Sequence, residues 1–493
     1  MKKKLIPLIL LLLTISMGVT YAIFKWTSSN SDVTFEVEGC YITYDAGSNI
    51  SGASFGPALS KDDTTNVISK KISMTPECTG VTANLTLKVD SIDDGLKEQS
   101  FIYELYDGTT KIANGNFADA TNGKVYNLLN TKTLTKDTTQ NYTLYIYIDG
   151  NQDNPTTMGG QSFSFTLGAS GENALYKEPP VNAVTLVEGL DDGTTGDSGS
   201  GVYKVSHEAI VSGSSATGSE IPAVTDYRYY GKSPDNYVCL DMNSESTCPD
   251  RSLYRIIGSI YEENAGTNLI KVIKATPLTD GTTSEFSWDY TSEGSSKNNW
   301  STSTLMTLLN SGAWWNGTSG SYYNYKYKAS PTATTVNFKD KGLTETVQKM
   351  IKDSLYYLGG YDGTEIKTTE MYGHERGTTT YSGNALSWTG KVGLMYPSDY
   401  GYAAGNGCAT DTNLSRYYYS NCYFKDWLYN SSQWLMSSVS SVSDYVINLS
   451  TQGDVTINKP YYTGTVFPTF YLTSDVSITS GTGTSTDPYL VTK

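Results

Sequence analysis

The stretch Asn84-Leu85-Thr86-Leu87-Lys88-Val89 alternates apolar and polar side chains with a period of two residues. The same alternation returns in residues 142–148 and 163–167. Because successive side chains of a β-strand point to opposite faces, this pattern predicts strands with one face in a core. Turns rich in Gly, Asn and Asp separate these stretches, and no helical period interrupts them. We therefore predict that residues 23–170 form an all-β sandwich.

The chain begins with Lys2-Lys3-Lys4, which an uncharged, mostly apolar run follows as far as Phe24. A basic stub before an apolar segment is typical of an export signal, and Thr20 and Ala22 place small residues at the −3 and −1 positions of a cleavage site. We expect residues 1–22 to direct export, with cleavage after Ala22. Retention as a membrane anchor is the alternative, because about 20 apolar residues span a bilayer. Either way, the protein is expected to be extracellular, at the cell surface or secreted.

The composition excludes some classes of partner. The chain has 50 acidic and 35 basic residues, a net charge of −15. Nucleic acid is disfavoured, because phosphate binding needs a positive surface. We expect contact with a membrane only through the N-terminal segment.

Six cysteines in an exported chain favour disulfides over free thiols. They fall into three pairs of neighbours along the sequence, and six cysteines allow about 15 pairings in all. Proximity predicts the pairs Cys40–Cys78, Cys239–Cys248 and Cys408–Cys422.

The remainder of the chain divides into two parts. Residues 171–222 are rich in Gly, Ser, Thr and Asp and predict a flexible linker. Residues 223–493 predict an α+β domain with a hairpin over 253–273 and a helix over 303–310. A second helical period runs from Val347 to Leu358, with Thr344 as N-cap and Gly359 as its end.

No group of residues predicts catalysis. The only histidines are His207, expected to be solvated in the linker, and His374, which lacks the second histidine of a zinc-protease helix. Gly196-Asp197-Ser198-Gly199 resembles the loop of a nucleophilic serine, but no histidine base precedes it. We therefore predict that the protein is not an enzyme and holds no catalytic metal.

Residues 149–154 place oxygen-bearing side chains in the manner of a calcium loop. No glutamate closes that loop, so we favour a simple turn, and calcium is the open alternative. We predict no other cofactor.

Aromatic stretches with polar neighbours are the best candidates for ligand contact, because exposed Tyr, Trp, Ser, Asn and Gly suit adaptable recognition. Five other tryptophans, Trp288, Trp300, Trp388, Trp427 and Trp434, are expected to fill the core. The candidate ligand-binding residues are Trp314, Trp315, Tyr322, Tyr323, Tyr325, Tyr417, Tyr418, Tyr419 and Tyr423.

Two parts of the chain resemble known families, and the first lies at the N-terminus. Thr20-Tyr21-Ala22-Ile23-Phe24 resembles the cleavage region of the TasA/camelysin type of bacterial surface and biofilm-fibre protein. That resemblance implies a jelly-roll-like or immunoglobulin-like sandwich, with a first strand over residues 32–37 and a capacity for self-association. The pair Cys40 and Cys78 departs from the pattern expected of that family.

The second half resembles the Fibrobacter-type major paralogous domain and, more remotely, the formylglycine-generating-enzyme and C-type-lectin-like fold. The matching stretches include 226–231, 254–258, 393–402 and 481–489. The resemblance implies a C-type-lectin-like domain over residues 223–493. Phe467-Pro468 stands where the family has an Arg-Pro pair. Cys408 and Cys422 do not lie where the oxidase relatives carry their copper-binding cysteines, so oxidase activity is not carried over.

These observations favour a non-catalytic adhesin-like protein that presents a domain for an extracellular glycan or protein ligand. A structural subunit of a matrix fibre or surface appendage is the first alternative. An oxidase-like enzyme is the second.

Overall fold

The computed structural model describes residues 21–24, 40–46, 55–153, 158–172, 175–177, 180–243, 247–325 and 331–493. It divides into two compact units, Met1–Pro179 and Pro180–Lys493. The export segment as far as residue 20 and the strand expected at residues 32–37 lie outside the described residues. In the parts of the chain given above, no helix is both long enough and apolar enough to cross a bilayer.

The first unit consists mainly of β-strands. Its strands are β1 (Tyr21–Phe24), β2 (Tyr41–Asp45), β3 (Pro57–Ala58), β4 (Ile68–Pro76), β5 (Thr82–Ile92), β6 (Phe101–Asp107), β7 (Thr110–Asn116), β8 (Val125–Thr133), β9 (Gln140–Asp149), β10 (Phe163–Glu172) and β11 (Leu175–Lys177).

Two sheets form this unit. One has the strand order β1-β10-β5-β8, and the other has the order β11-β2-β4-β9-β6-β7, with β3 beside β9. The predicted alternation is confirmed in β5, where Leu85, Leu87 and Val89 are fully buried. Side chains of both sheets join one apolar core. The unit is therefore a β-sandwich.

The second unit combines strands with short helices. Its elements are β12 (Val181–Asn182), α1 (Ala183–Gly189), β13 (Ser200–His207), β14 (Val224–Gly231), β15 (Tyr237–Cys239), β16 (Leu253–Glu262), β17 (Thr267–Lys274), β18 (Phe286–Ser287), α2 (Thr304–Asn310), β19 (Ser319–Asn324), β20 (Thr332–Asn337), α3 (Glu345–Met350), β21 (Ser354–Tyr357), α4 (Thr368–Glu375), β22 (Ser387–Gly390), α5 (Pro397–Ala403), α6 (Asn406–Asp411), β23 (Gln433–Ser438), β24 (Val446–Leu449), β25 (Val455–Asn458), β26 (Thr463–Gly464), β27 (Thr469–Tyr471), β28 (Ser477–Ser480) and β29 (Tyr489–Thr492).

The main sheet of this unit runs in the order β12-β28-β29-β15-β16-β14-β13, and β17 lies between β16 and β27. Strand β16 is buried along most of its length, and Leu253, Ile256, Ile257 and Ile260 supply its apolar side chains. Helix α1 contacts β16 and β17, and α5 contacts β14. The predicted hairpin is confirmed as β16 and β17.

The linker prediction for residues 171–222 is wrong over most of its length. Strand β10 continues to Glu172, and residues 180–222 belong to the second unit. Val187, Val202 and Tyr203 are buried there. A few apolar side chains spaced among Gly, Ser and Asp turns suffice to pack this segment into the second unit. The overall composition does not reveal them, because polar residues dominate it.

The helix predictions are confirmed in part. Ser303 caps α2, and the Thr344 hydroxyl accepts a hydrogen bond from the Val347 amide at 3.3 Å at the start of α3. However, α3 ends at Met350, and residues 354–357 form strand β21 instead of a continuing helix. β-Branched and aromatic side chains in Ile351-Lys352-Asp353-Ser354-Leu355-Tyr356-Tyr357 suit a strand better than a helix.

The three predicted cysteine pairs lie at disulfide distance. In each pair, Cys40–Cys78, Cys239–Cys248 and Cys408–Cys422, the Cα atoms are 5.8 Å apart.

Candidate functional site

A chain of buried charges crosses the interior of the second unit. We call His207, Asp226, Arg228, Asp399 and Lys271 the interior charge chain. They come from β13, β14, α5 and β17, and each of the four acidic and basic members is at most 2% exposed. Buried charges are tolerated only when they are paired and hydrogen-bonded.

Arg228 is the link at the middle of this chain. Its Nε and Nη2 donate to Asp226 Oδ2 at 3.1 and 2.7 Å, and its Nη1 donates to Asp399 Oδ1 at 2.9 Å. The other oxygen of Asp399 accepts from Lys271 Nζ at 2.6 Å. The planar guanidinium can hold two carboxylates at once, which an ammonium group cannot do with the same geometry.

Backbone amides donate further hydrogen bonds to the two carboxylates of the interior charge chain. The Tyr261 amide donates to Asp226 Oδ1 at 3.0 Å, and the Tyr396 amide donates to Asp399 Oδ2 at 2.9 Å. Burial opposes ionisation of both carboxyls, but the adjacent cations outweigh it and hold the pKa of Asp226 and of Asp399 below the usual range. Both carboxylates are therefore ionised, and the chain is a structural brace.

His207 lies at one end of the interior charge chain. It is therefore not the solvated linker residue that the sequence predicted. Its Nε2 lies 3.0 Å from Asp226 Oδ2, and its ring stacks on Tyr372 with the centroids 3.6 Å apart. The guanidinium of Arg376 lies 3.4 Å from the centroid of the same tyrosine. Burial lowers the pKa of His207, and the attraction of Asp226 offsets only part of this effect.

A second buried group lies beside the chain. Glu375 Oε1 accepts from the Ser398 amide at 2.9 Å, and Oε2 accepts from the Ser398 hydroxyl at 2.5 Å and from Arg376 at 3.3 Å. Burial raises the pKa of Glu375 to about 7, although Arg376 and Ser398 oppose the rise. Neither Glu375 nor Ser398 is accessible to a substrate, since they are at most 1% exposed.

We predict that the difference in free energy of unfolding between the wild-type and His207→Gln becomes smaller as the pH falls. The folded-state pKa of His207 lies below 6.5, so the unfolded state binds a proton that the folded state excludes. The wild-type therefore loses stability as the pH falls through 6.5, by up to about 1.4 kcal/mol per pH unit from this one group. Urea unfolding of both proteins at pH 7.5, 6 and 5 measures the gap.

Glu375 acts in the opposite direction. Its folded-state pKa of about 7 exceeds the ordinary 4.5, so it adds stability as the pH falls from 7 towards 4.5. Because both proteins contain Glu375, its contribution cancels in the comparison. A gap that stays constant from pH 7.5 to 5 would contradict the prediction.

Among the described residues, the most exposed group of aromatic side chains lies after α6. We call Tyr418, Tyr419, Tyr423, Phe424 and Tyr429 the tyrosine platform. Tyr419 is 81% exposed, Phe424 56% and Tyr418 38%. Tyr423 lies at the centre of the platform, with ring centroids 5.4 Å from Tyr418, 4.0 Å from Phe424 and 5.4 Å from Tyr429.

Several fixed points hold the platform. The Cys408–Cys422 disulfide precedes Tyr423, and Asn421 adopts a left-handed conformation with φ of 61°. The Tyr429 hydroxyl donates to the Thr451 carbonyl at 2.6 Å, and the Tyr418 amide donates to Asp454 Oδ1 at 2.7 Å. Rings held in this way lose little conformational entropy when they bind a ligand.

Tyr423 also packs closely on the turn between β24 and β25. A Cβ at Gly453 would lie 2.6 Å from Cβ of Tyr423, and Gly453 itself has φ of 86°. Both the contact and the backbone conformation therefore require glycine at this position.

The structure divides the nine ligand candidates. Trp314, Tyr322 and Tyr417 are buried, with exposures of 1%, 4% and 0%, so for these three residues ligand contact is replaced by packing. The Tyr322 hydroxyl donates to the Ser287 carbonyl at 2.6 Å, and that of Tyr417 donates to the Gly401 carbonyl at 3.2 Å. The structure brings Tyr418, Tyr419 and Tyr423 together, and leaves Trp315, Tyr323 and Tyr325 half-buried elsewhere.

Tyr325 belongs to another ring cluster, which we call the distal aromatic group, formed with Tyr461 and Tyr462. Their centroids are 5.1 Å apart for Tyr325–Tyr461, 5.5 Å for Tyr325–Tyr462 and 4.7 Å for Tyr461–Tyr462. Sequence reasoning missed Tyr461, Tyr462 and Tyr429. The adjacent Tyr461-Tyr462 pair after Pro460 is the signal that could have found two of them.

The structure describes the predicted core tryptophans and most of the loop at residues 149–154 that the calcium alternative concerns. Trp288, Trp300, Trp427 and Trp434 are buried, and Trp388 is half-buried against the same core. At residues 149–152, the carboxylate of Asp149 accepts from the Asn151 and Gln152 side chains at 2.9 and 2.8 Å, as in an ordinary turn. Within the described ranges, no cluster of three His, Cys, Asp or Glu residues is arranged to hold a metal.

No protein-family model matches the chain, and no curated protein matches it. Among solved structures, it is similar to the crystal structure of Spo0M, a sporulation control protein from Bacillus subtilis. The identity is 6% and the TM-score 0.12, and the match covers 48% of this chain and 79% of that one. A similarity at that level supports no inference about fold or function.

Proposed function

We propose that this is an exported, non-catalytic recognition protein, at the cell surface or secreted. Its C-type-lectin-like second unit would present the tyrosine platform to an extracellular glycan or protein. The observation that carries this proposal is the exposure of Tyr419 and Phe424 on a frame fixed by a disulfide and by backbone hydrogen bonds. Large exposed aromatic side chains on a rigid frame are typical of binding surfaces.

The interior of the second unit supports a scaffold role. The charges of the interior charge chain are paired with one another and shielded from solvent. All six cysteines form disulfide pairs, so no thiol is free for oxidase chemistry of the kind that uses reactive cysteines. We therefore assign recognition, and no reaction, to this unit.

We predict that Tyr419→Ala combined with Phe424→Ala weakens ligand binding at least about tenfold, equivalent to about 1.4 kcal/mol. The substitutions remove mainly exposed ring surface and one ring contact each, that of Tyr419 with Tyr418 and that of Phe424 with Tyr423. The free energy of unfolding should therefore fall by at most about 2 kcal/mol. The full-length exported chain, screened on glycan and extracellular-protein arrays, supplies the ligand, and titration of that ligand gives the affinity.

Val211→Ala is the matched control, because Val211 is 63% exposed in the same unit and lies outside the platform. Its affinity should equal that of the wild-type. If the double variant bound the ligand as tightly as the wild-type, the platform would not be the ligand-binding surface.

A fibre subunit is the second candidate function, and the first unit gives a specific reason for it. Among the described strands, β7 and β8 lie at the edges of their sheets, and their Ile112 and Val125 side chains are 38% and 51% exposed. Exposed edge strands can pair with another copy of the chain. Negative-stain microscopy of the purified protein discriminates, since filaments favour the fibre and dispersed particles the recognition protein.

A further inference from the structure

We propose that the tyrosine platform and the distal aromatic group are the two ends of one strip that binds an extended, uncharged polysaccharide. This inference rests on the proposed recognition function and names its ligand class. The ribbon formed by β24 and β25 connects the two ends.

The platform lies at the turn of this ribbon. Its contacts with Thr451, Gly453 and Asp454 all fall in the segment that joins β24 to β25. The ribbon itself is paired from Leu449↔Val455 to Val446↔Asn458. The platform is thus fastened to one end of a short, regular element.

The distal aromatic group lies at the opposite end of the same strand. Strand β25 ends at Asn458, and Tyr461 and Tyr462 follow after two residues. At about 3.3 Å per residue, the regular strand from Val455 to Asn458 alone extends about 10 Å, and the whole path from Asp454 to Tyr461 extends at most roughly 23 Å. A single sugar cannot contact both ends, whereas several units of an extended chain can.

The strand between the two ends offers a suitable surface. Val455 and Ile457 lie on the same face of β25, and this face reaches the surface at Ile457, which is 41% exposed whereas Val455 is buried. The four residues of β25, Val455-Thr456-Ile457-Asn458, include no charged side chain, so Ile457 is the apolar surface that this strand contributes between the two ends. Pyranose rings present apolar C–H faces that stack on aromatic and aliphatic surface.

The charges around the strip favour an uncharged ligand. Arg416 pairs with Glu365 at 3.2 Å, and Lys459 pairs with Asp444. A phosphorylated or sulfated ligand would require cations that are not already neutralised in this way.

Polar side chains at the turn end suit sugar hydroxyls. Ser420, Asn421, Thr451 and Gln452 are exposed beside the platform rings. Hydroxyl and amide groups can both donate and accept, as sugar hydroxyls do. Tyrosine supplies the same combination of an apolar ring and a polar tip.

The test is the dependence of affinity on oligosaccharide length. Fluorescently labelled β-1,4-glucose, β-1,4-xylose, β-1,4-N-acetylglucosamine and α-1,4-glucose oligomers of two to eight units are titrated into the full-length chain. For at least one series, we expect Kd to fall at least about tenfold between two and six units, because only the longer oligomers contact both ends.

Variants at each end make the test specific. Tyr419→Ala with Phe424→Ala at the platform, and Tyr462→Ala at the distal group, should each return the Kd of the six-unit oligomer towards that of the two-unit oligomer. Tyr462 is 40% exposed, so its removal should leave the fold intact. Val211→Ala should keep the wild-type dependence on length.

The outcomes separate this inference from the function on which it rests. Affinity that does not depend on length, or a Tyr462→Ala variant that binds like the wild-type, overturns the strip. If the arrays identify only a protein ligand, the polysaccharide is overturned and the recognition function stands. If neither class of ligand binds, both are overturned.

Discussion

Asp399→Asn is expected to destabilise the second unit by about 3–5 kcal/mol, or to prevent its folding. Asp399 is the only carboxylate bonded to Lys271 among the described residues, and it also binds Arg228. An amide of the same size would keep the shape but leave two buried cations facing a neutral group. The cost is that of uncompensated charge in a medium that cannot solvate it.

Urea unfolding followed by tryptophan fluorescence is the appropriate measurement. All tryptophans except Trp26 lie in the second unit, so the signal reports mainly on this unit. Asp475→Asn is the matched control, because Asp475 lies 3.7 Å from Lys493 and is 60% exposed. Surface pairs of this kind contribute at most about 1 kcal/mol. A midpoint for Asp399→Asn equal to that of the control would show that the interior charge chain is not a brace.

Replacing Cys408 and Cys422 by serine is expected to cost about 3 kcal/mol of stability, because the disulfide closes a loop with a sequence separation of 14. The bond limits the unfolded ensemble, and its loss also frees the base of the tyrosine platform. We therefore expect the affinity for ligand to fall along with the denaturant midpoint.

The same measurement on Cys239→Ser with Cys248→Ser provides the comparison. That disulfide closes a loop with a sequence separation of 9, and it is distant in sequence from the platform. It should lower the midpoint by a similar amount and leave the affinity unchanged under conditions where the protein is folded. Loss of binding in both variants would indicate a general loss of structure and would contradict a specific role for Cys408–Cys422.

Local patterns predicted the first unit well. Alternation at residues 84–89, 142–148 and 163–167 depends only on the period of a strand, and all three stretches lie in β5, β9 and β10. The hairpin of β16 and β17 and the cysteine pairs are also short-range features. The prediction for residues 180–222 was wrong because the few buried side chains of this segment pack against residues that are distant in the sequence. Val181 pairs with Ile478, for example.

The candidate site was predicted only in part, because burial and long-range contacts leave no local pattern in the sequence. Counting tyrosines identifies regions rich in rings, but it cannot distinguish Tyr417, which is buried, from Tyr419, which is exposed. The interior charge chain left no local signal, because Arg228 and Asp399 are separated by 171 positions. His207 was assigned to solvent since its partner Asp226 lies across a strand pair that the linker prediction did not contain.

The pairing of Val181 with Ile478 has a consequence for biosynthesis. The first strand of the second unit cannot pair with its neighbour until almost the entire polypeptide has left the ribosome, and Lys271 and Arg228 must wait for Asp399, which lies 128 and 171 positions further along the chain. Contacts so distant along the sequence form slowly. A nascent copy would consequently complete the second unit only late in synthesis, and such a delay is compatible with the export proposed above.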